Sequence, residues 1–125
     1  MSGKTVLLVD DDKDLVTALN IRLRSVGYNV VVAGDVMAAI SLALNKKPDL
    51  IVLDLGLPGG DGFLVMERLG LLNDLALTPI IVVSARDPMI AKQKALEAGA
   101  SVYFQKPIDT NQFLLAIRGA FEQAA

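Results

Sequence analysis

Residues 50–62 read LIVLDLGLPGGDG, in which four large apolar side chains run directly into an aspartate and a glycine-rich turn. A short apolar run that contains Val and Ile and ends in turn residues predicts a strand that is buried on both faces. Strands buried on both faces are typical of parallel sheets that are covered by helices. We therefore predict a strand at Leu50–Leu53, with Asp54 at its carboxyl end.

Similar apolar runs recur along the rest of the chain. The other predicted strands are Thr5–Val9, Asn29–Val32, Pro79–Val83 and Val102–Phe104. Between them, apolar residues recur every three or four positions, as along one face of a helix. This alternation predicts a (βα)5 unit: an α/β fold with a doubly wound, five-stranded parallel sheet and right-handed crossovers. We expect residues 1–125 to form a single domain of this kind.

Short polar residues mark where the helices begin. The predicted caps are Asp12, Asp35, Asp87 and either Asp109 or Thr110. Aspartate is favoured there because its carboxylate accepts a hydrogen bond from an otherwise unpaired backbone N–H group. The third helix is predicted from Phe63 to about Leu71, followed by an irregular Leu-rich end packed on the sheet. Met89 and Ile90, at the start of the fourth helix, are assigned to the core.

Composition excludes several classes of function. The chain has no Cys and no His, which removes disulfides, thiolate nucleophiles, Cys-ligated zinc and the Ser-His-Asp triad. Its 12 Lys and Arg against 14 Asp and Glu argue against nucleic acid as a partner of this domain. No apolar stretch is long enough for a membrane span, and Met1 to Lys4 is too short for a signal peptide. We therefore expect a cytoplasmic protein without membrane insertion.

Charged and hydroxyl side chains follow four of the predicted strands. The residues in these positions are Asp10-Asp11-Asp12, Asp54, Ser84-Ala85-Arg86 and Gln105-Lys106-Pro107. Ligands of open parallel sheets bind beyond the carboxyl ends of the strands, so these side chains are expected to share one cleft. Two carboxylates about 5 Å apart repel by roughly 3 kcal/mol at an effective dielectric of 20. A hard divalent cation such as Mg²⁺ would relieve that repulsion, and a phosphoryl group would fit beside it, opposite Lys106.

Four motifs lie in register on the predicted strands: VDDD at residues 9–12, LDLGLPGGDG at 53–62, VVSA at 82–85 and YFQKP at 103–107. In order and spacing they resemble the motifs of the receiver domain of bacterial two-component response regulators, over essentially the whole chain. The resemblance implies a flavodoxin-like sheet of strand order 2-1-3-4-5 and a phosphorylation-controlled signalling switch. Such a domain is not an enzyme in the usual sense, since it catalyses only its own Mg²⁺-dependent phosphorylation and dephosphorylation.

The resemblance also implies a role for each matching acidic residue. Asp54 would be the phosphoryl acceptor. Asp11 and Asp54 would bind Mg²⁺, or Mn²⁺ in its place, together with the backbone carbonyl of Gly56. Asp10 would act mainly through metal-bound water.

Further roles fall on the last two strands. Lys106 would contact the phosphoryl oxygens and pair with the acceptor carboxylate, and the Lys106-Pro107 peptide bond is expected to be cis. Ser84 would turn its hydroxyl toward the phosphate, and Tyr103 would then swing inward. Arg86, together with the bare backbone of Gly56, would tune the lifetime of the phosphate.

The implied partners are proteins. A histidine kinase or histidine phosphotransfer protein would donate the phosphoryl group, because this chain has no histidine of its own. A separate output protein or a fused effector domain would read the fourth helix, the fifth strand and the fifth helix. A dimer is compatible with the sequence.

Other interpretations of the same residues stay open at this point. Asp10 to Asp12 could simply cap the first helix, and Lys106 could be a solvated surface residue. Ser84 could be an ordinary loop residue, and Tyr103 could be half-buried for packing alone. A small aspartate-nucleophile phosphatase of the haloacid dehalogenase type would use Asp10 and Asp12, and would leave Asp54 unexplained. A pseudo-receiver would keep the fold as a binding module that is never phosphorylated.

Overall fold

The computed structural model describes residues 3–124, the last of these by its backbone alone. Met1 and Ser2, part of the segment judged too short for a signal peptide, lie outside the described residues. Within residues 3–124, none of the helices has both the length and the apolar character that crossing a membrane requires.

Residues 3–124 contain seven strands, and all five predicted strands are among them. The strands are β1 (Thr5–Val9), β2 (Asn29–Ala33), β3 (Leu50–Leu53), β4 (Gly56–Leu57), β5 (Gly60–Asp61), β6 (Ile80–Ser84) and β7 (Val102–Gln105). The boundaries of β1 and β3 are those predicted, and the ends of the other predicted strands differ by one residue. The short strands β4 and β5 were not predicted.

In the described part of the chain, five helices alternate with the strands of the main sheet. They are α1 (Lys13–Ser25), α2 (Val36–Lys46), α3 (Gly62–Gly70), α4 (Pro88–Glu97) and α5 (Thr110–Ala124). The carboxylates of Asp12, Asp35 and Asp87 cap α1, α2 and α4, as predicted. Of the two predicted caps of α5, Asp109 and Thr110, the structure has Asp109, whose Oδ1 accepts the N–H of Gln112 at 3.1 Å.

The main sheet has five parallel strands in the order β2-β1-β3-β6-β7. Since β6 and β7 are the fourth and fifth strands of this sheet, the order is the predicted 2-1-3-4-5. The fold is therefore the doubly wound, flavodoxin-like α/β fold.

The two faces of the sheet carry two separate apolar cores. On β1, Leu7 and Val9 pack with residues of α2, α3 and α4, whereas Val6 and Leu8 pack with residues of α1 and α5. Successive side chains of a strand point to opposite faces, so one continuous apolar run supplies both cores. Both faces are covered, and the carboxyl edge of the sheet is where polar groups gather.

A small hairpin follows β3 and shapes that edge. Strands β4 and β5 pair antiparallel, Gly56 opposite Asp61 and Leu57 opposite Gly60. The two residues between them are Pro58 and Gly59, and Gly59 has a φ of +83°. Glycine adopts a positive φ without steric cost because it lacks a Cβ, so Gly59 allows the chain to reverse between the two short strands.

Met89 and Ile90 in the first turn of α4 are exposed, and the Leu-rich stretch after α3 is irregular. The assignment of Met89 and Ile90 to the core is wrong, because they are 93% and 79% exposed. Helix α4 instead packs on the sheet through the small side chains of Ala91 and Ala95. The Leu-rich stretch after α3 is irregular, as expected, with Leu75 buried.

Candidate functional site

The strand ends bring the predicted polar residues together. Asp10 directly follows β1 and Asp54 directly follows β3, and these strands are neighbours in register, with Val9 opposite Leu53. The backbone N–H of Asp54 donates to the carbonyl of Val9 at 2.9 Å, which fixes the two aspartates side by side. Because β6 and β7 run parallel to β3 in the same sheet, Ser84 at the end of β6 and Lys106 after β7 reach the same edge.

Three carboxylates form a compact acidic cluster. One oxygen from each of Asp10, Asp11 and Asp54 lies within 4.8 Å of the other two. Asp10 and Asp54 are 5% and 7% exposed, whereas Asp11 faces solvent. Carboxylate oxygens at this spacing, open to water on one side, are a donor set that suits a hard divalent cation such as Mg²⁺.

Asp12 takes no part in that cluster. Its Oδ1 accepts the N–H of Leu15 at 3.2 Å, which is the N-cap bond of α1. Its own N–H donates to Oδ1 of Asp10 at 2.9 Å and so orients the carboxylate of Asp10. The consecutive aspartates therefore divide between capping and the acidic cluster, and helix capping alone does not explain them.

Lys106 is the cation of the site. Its Nζ lies 2.8 Å from Oδ2 of Asp10 and 3.3 Å from Oδ2 of Asp54. The side chain is 19% exposed, so it is not a solvated surface lysine. Burial lowers the pKa of Lys106, but the bond to Asp10 and the nearby Asp54 outweigh it and raise that pKa overall. Lys106 is thus held charged against the two buried carboxylates.

Asp54 is in a less favourable setting for its charge. Burial and the neighbouring Asp10 raise the pKa of the Asp54 carboxyl. Lys106 and the N–H of Gly56, which donates to Oδ1 of Asp54 at 3.3 Å, act in the opposite direction without cancelling the rise. The ionised carboxylate is therefore incompletely compensated by the protein, and a further cation would stabilise it.

Ser84, Arg86 and Tyr103 form a connected group beside the acidic cluster. Ser84 is buried, and its Oγ accepts the N–H of Arg86 at 3.1 Å. The hydroxyl of Tyr103 donates to the carbonyl of Arg86 at 2.8 Å, and Tyr103 is 8% exposed. The inward position expected of Tyr103 after phosphorylation is thus the position it has in this structure. The Lys106-Pro107 peptide is cis, as predicted.

One residue of the site had no predicted role. The carboxylate of Asp61 lies 3.7 Å from the guanidinium of Arg86. Asp61 also caps α3, because its Oδ1 accepts the N–H groups of Phe63 and Leu64 at 2.9 and 3.4 Å. The sequence does contain a signal for the capping role, because an aspartate just before a predicted helix is typical of an N-cap. The partner Arg86 lies far along the chain, and no local pattern indicates it.

The sequence of the chain also matches a known protein family. Residues 6–118 match the model of the response regulator receiver domain. The chain belongs to this family. Receiver domains of two-component response regulators are phosphorylation-controlled switches, and in this one Asp10, Asp11 and Asp54 lie together at the carboxyl edge of the sheet.

Relatives of known name agree with the family. The transcriptional regulatory protein KdpE of Mycobacterium tuberculosis is 40% identical over 115 residues, which are 92% of this chain and 50% of KdpE. The alkaline phosphatase synthesis transcriptional regulatory protein PhoP of Bacillus subtilis is 38% identical over 110 residues, 88% of this chain and 45% of PhoP. The receiver chain thus spans about half the length of the curated relatives it matches.

A solved structure agrees in fold. The crystal structure of a putative response regulator from Chloroflexus aurantiacus superposes with a TM-score of 0.90 at 29% identity, covering 95% of this chain and 98% of the other.

Proposed function

We propose that this receiver domain accepts a phosphoryl group onto Asp54 from a phosphohistidine of a partner protein, in a reaction that needs Mg²⁺. The observation that carries the proposal is the pairing of a buried, incompletely compensated Asp54 carboxylate with the Lys106 ammonium at 3.3 Å. A carboxylate in this position can act as the nucleophile, and the adjacent ammonium can bind the oxygens of an incoming phosphoryl group.

Asp10, Asp11 and Asp54 would hold the metal ion, with the carbonyl of Gly56 as a backbone ligand and Asp10 acting mainly through bound water. The spacing of the three carboxylates supports this assignment. Mg²⁺ or Mn²⁺ would supply charge neutralisation for the incoming phosphoryl group.

The transfer itself requires mainly positioning. An oxygen of Asp54 attacks phosphorus, the bond from phosphorus to the donor nitrogen breaks, and the partner's histidine leaves as a neutral imidazole after protonation. Lys106 lies within reach of the acceptor oxygen and would pair with the phosphoryl oxygens as their charge concentrates there. This chain needs no histidine, because in phosphoryl transfer the acceptor protein contributes orientation and electrostatic stabilisation.

Ser84 and Tyr103 would carry the signal outward. Ser84 ends β6, the strand beside β3, and would turn its hydroxyl toward a phosphoryl oxygen; its Oγ accepts the backbone N–H of Arg86 in this structure. Tyr103 is bonded to the carbonyl of the same residue. A movement of Ser84 would therefore shift the segment before α4, and with it the face formed by α4, β7 and α5.

The donor would be a histidine kinase or a histidine phosphotransfer protein, and the reader of that face an output protein or a fused effector domain. We propose that the protein acts in the cytoplasm and that residues 1–125 form one receiver domain. A dimer is compatible with this function. Its catalysis would be limited to gain and loss of its own phosphate.

The rival functions find less support. A phosphatase of the haloacid dehalogenase type would need Asp12 at the reaction centre, but the Asp12 carboxylate caps α1. A pseudo-receiver would be expected to lack Asp11, Asp54 or Lys106, and this chain retains all three.

Intact mass spectrometry after incubation with acetyl phosphate and Mg²⁺ tests the proposal. We expect a gain of one phosphoryl group that EDTA prevents, hydroxylamine removes and Asp54→Asn abolishes. The matched control is Asp35→Asn, which alters a helix cap near the same edge and should leave the gain intact. If neither a mass gain nor binding of beryllofluoride, a phosphoryl mimic, is seen, the proposal is wrong.

Gly56 offers a test of phosphate lifetime. A Cβ on Gly56 would meet no atom within 4 Å, so a small side chain fits without rearrangement. We expect Gly56→Ser to slow loss of the phosphoryl group, because the added atoms screen it from water. Gly34→Ser, also in open space, is the control and should leave the rate unchanged.

A further inference from the structure

The side of the acceptor that Gly56 leaves open is bordered by Asp61. Gly56 and Asp61 are direct partners in the β4–β5 pair. Residues that face each other in an antiparallel pair have Cβ positions about 5 Å apart on the same face. A Cβ on Gly56 would meet no atom within 4 Å, so there is open space at this position, and Asp61 is the residue paired with it across the hairpin.

The Asp61 carboxylate is held in a fixed orientation. Its Oδ1 accepts the backbone N–H of Phe63 at 2.9 Å and the N–H of Leu64 at 3.4 Å. An N-cap carboxylate of this kind is further stabilised by the partial positive charge at the start of the helix. Only Oδ2 of Asp61 is then available for another partner.

That partner is Arg86. Its Nη2 lies 3.7 Å from Oδ2 of Asp61, although the two residues belong to different loops. The backbone of Arg86 is fixed independently, since its N–H donates to Ser84 and its carbonyl accepts from Tyr103. With both ends anchored, the Arg86 side chain spans from the β6–α4 loop to the hairpin.

We infer that Asp61 is a positioning residue: it holds the Arg86 guanidinium across the side of the acceptor that Gly56 leaves open, and so slows hydrolysis of the phosphate. This inference rests on the proposed function. In the hydrolysis, a water oxygen attacks phosphorus, the bond from phosphorus to the Asp54 oxygen breaks, and Asp54 leaves as a carboxylate. Both protons of the water pass to the inorganic phosphate, so the step balances without another reactant.

Asp61→Asn tests the inference while keeping the helix cap, because asparagine is an equally good N-cap residue. We expect phosphate loss to become about two- to fivefold faster, the range that a half-exposed ion pair can contribute. The rate is measured after removal of acetyl phosphate, by intact mass, for wild type, Asp61→Asn, Arg86→Gln and the double variant. Since Asp61 acts through Arg86, Asp61→Asn should have no further effect in the Arg86→Gln background.

Two further readouts separate positioning from a general loss of structure. The melting temperature and the affinity for beryllofluoride should stay within error of wild type in Asp61→Asn. The guanidinium signals of Arg86 in ¹⁵N NMR of the unphosphorylated protein should shift in Asp61→Asn, because Nη2 loses the nearby negative charge of Asp61. The control Asp35→Asn removes the charge of another cap carboxylate and should leave phosphate loss unchanged.

The outcomes are distinct. If the wild type takes up no phosphate and no beryllofluoride, the proposed function has failed. If the wild type is phosphorylated but Asp61→Asn loses phosphate at the wild-type rate or more slowly, the positioning role is wrong. If Asp61→Asn accelerates phosphate loss equally in the wild-type and Arg86→Gln backgrounds, the positioning role is also wrong, because Asp61 would then act without Arg86.

Discussion

The Nζ of Lys106 lies 2.8 Å from Asp10 and 3.3 Å from Asp54. The lysine therefore bridges Asp54, the proposed acceptor, and the neighbouring Asp10. Its shorter contact is the one to Asp10. In the absence of a phosphoryl group, Lys106 offsets the charge of both buried aspartates. On transfer it would have to remain near Asp54 while the charge grows there.

Lys106→Gln should destabilise the domain in EDTA. The variant leaves Asp10 and Asp54 ionised and buried without a cation, so we expect the free energy of unfolding to fall by about 1–3 kcal/mol. The pKa of Lys106 is raised by folding, so its contribution is present at neutral pH and is lost as pH rises through that pKa. Chemical denaturation at pH 7 measures the change.

Added Mg²⁺ should recover part of the loss, because the cation replaces the missing charge. Lys92→Gln, on the exposed side of α4, is the control and should stay within about 0.5 kcal/mol of wild type. Equal stabilities of Lys106→Gln and wild type in EDTA would contradict the bridging role.

Asp54→Asn should have the opposite effect in EDTA. The pKa of Asp54 is raised by burial and by Asp10, so the native state binds the proton more tightly than the unfolded chain. At neutral pH the ionised carboxylate therefore lowers the free energy of unfolding. We expect the free energy of unfolding of the variant to be about 1 kcal/mol higher than that of the wild type. The full repulsion between two carboxylates at this spacing is roughly 3 kcal/mol, but Lys106 already offsets some of it.

Thermal unfolding with and without Mg²⁺ measures both halves of that prediction. The gain should correspond to a rise of about 4 °C in the melting temperature in EDTA. Mg²⁺ should raise the melting temperature of the wild type more than that of Asp54→Asn, because the variant lacks one ligand. If Asp54→Asn melts at a lower temperature than the wild type in EDTA, the charge of Asp54 does not destabilise the folded protein.

Gly62→Ala should strongly destabilise the fold. A Cβ on Gly62 would lie 2.5 Å from the backbone oxygen of Asp54 and 2.9 Å from Cα of Leu55. Both are backbone atoms just after β3, so they can move only by displacing the acceptor itself. We expect a loss of about 3 kcal/mol, at the upper end of the usual range for overpacking.

Gly119→Ala in α5 is the matched control. Its Cβ would meet nothing within 4 Å, so the helix should gain about 0.5–1 kcal/mol from the better helix former. Denaturant titration of both variants makes the comparison. If Gly62→Ala were as stable as wild type, close packing of α3 on the acceptor segment would not be required.

Tyr103→Phe should separate the hydroxyl bond from aromatic packing. The variant removes the 2.8 Å bond to the carbonyl of Arg86 and keeps the buried ring, so we expect a loss of about 0.5–1.5 kcal/mol. In the Tyr28→Phe variant, in which Tyr103 is the remaining tyrosine, beryllofluoride should alter the ultraviolet absorption of Tyr103, because a shift of Arg86 would change the hydrogen bond of the already buried hydroxyl. An unchanged spectrum on saturation would argue against a switching role.

Much of the fold follows from patterns within single segments. The apolar runs place β1 and β3 at their observed boundaries, and the aspartates at residues 12, 35 and 87 cap helices as expected. These features are local, because a strand needs only its own buried side chains and a cap only the next three residues. The position of Asp54 at the carboxyl edge followed from the apolar run that ends at Leu53, whereas the strand order was implied by the motif resemblance.

Where local patterns are weak, prediction from the sequence was incomplete or wrong. Helix α4 buries only small side chains such as Ala91 and Ala95, so Met89 and Ile90 looked like its apolar face and were wrongly assigned to the core. The hairpin β4–β5 was missed because each of its strands has two residues, too few for any periodicity.

The sequence by itself determined which residue types reach the carboxyl edge of the sheet, because parallel strands with local caps leave few alternatives. Only the tertiary structure decided their pairing: Lys106 with Asp10 as well as Asp54, Arg86 with Asp61, and Tyr103 with the carbonyl of Arg86. Each of these contacts joins segments that are distant along the chain. Its formation depends on the distances and orientations that the packed sheet and helices impose, and these are not encoded in any single segment.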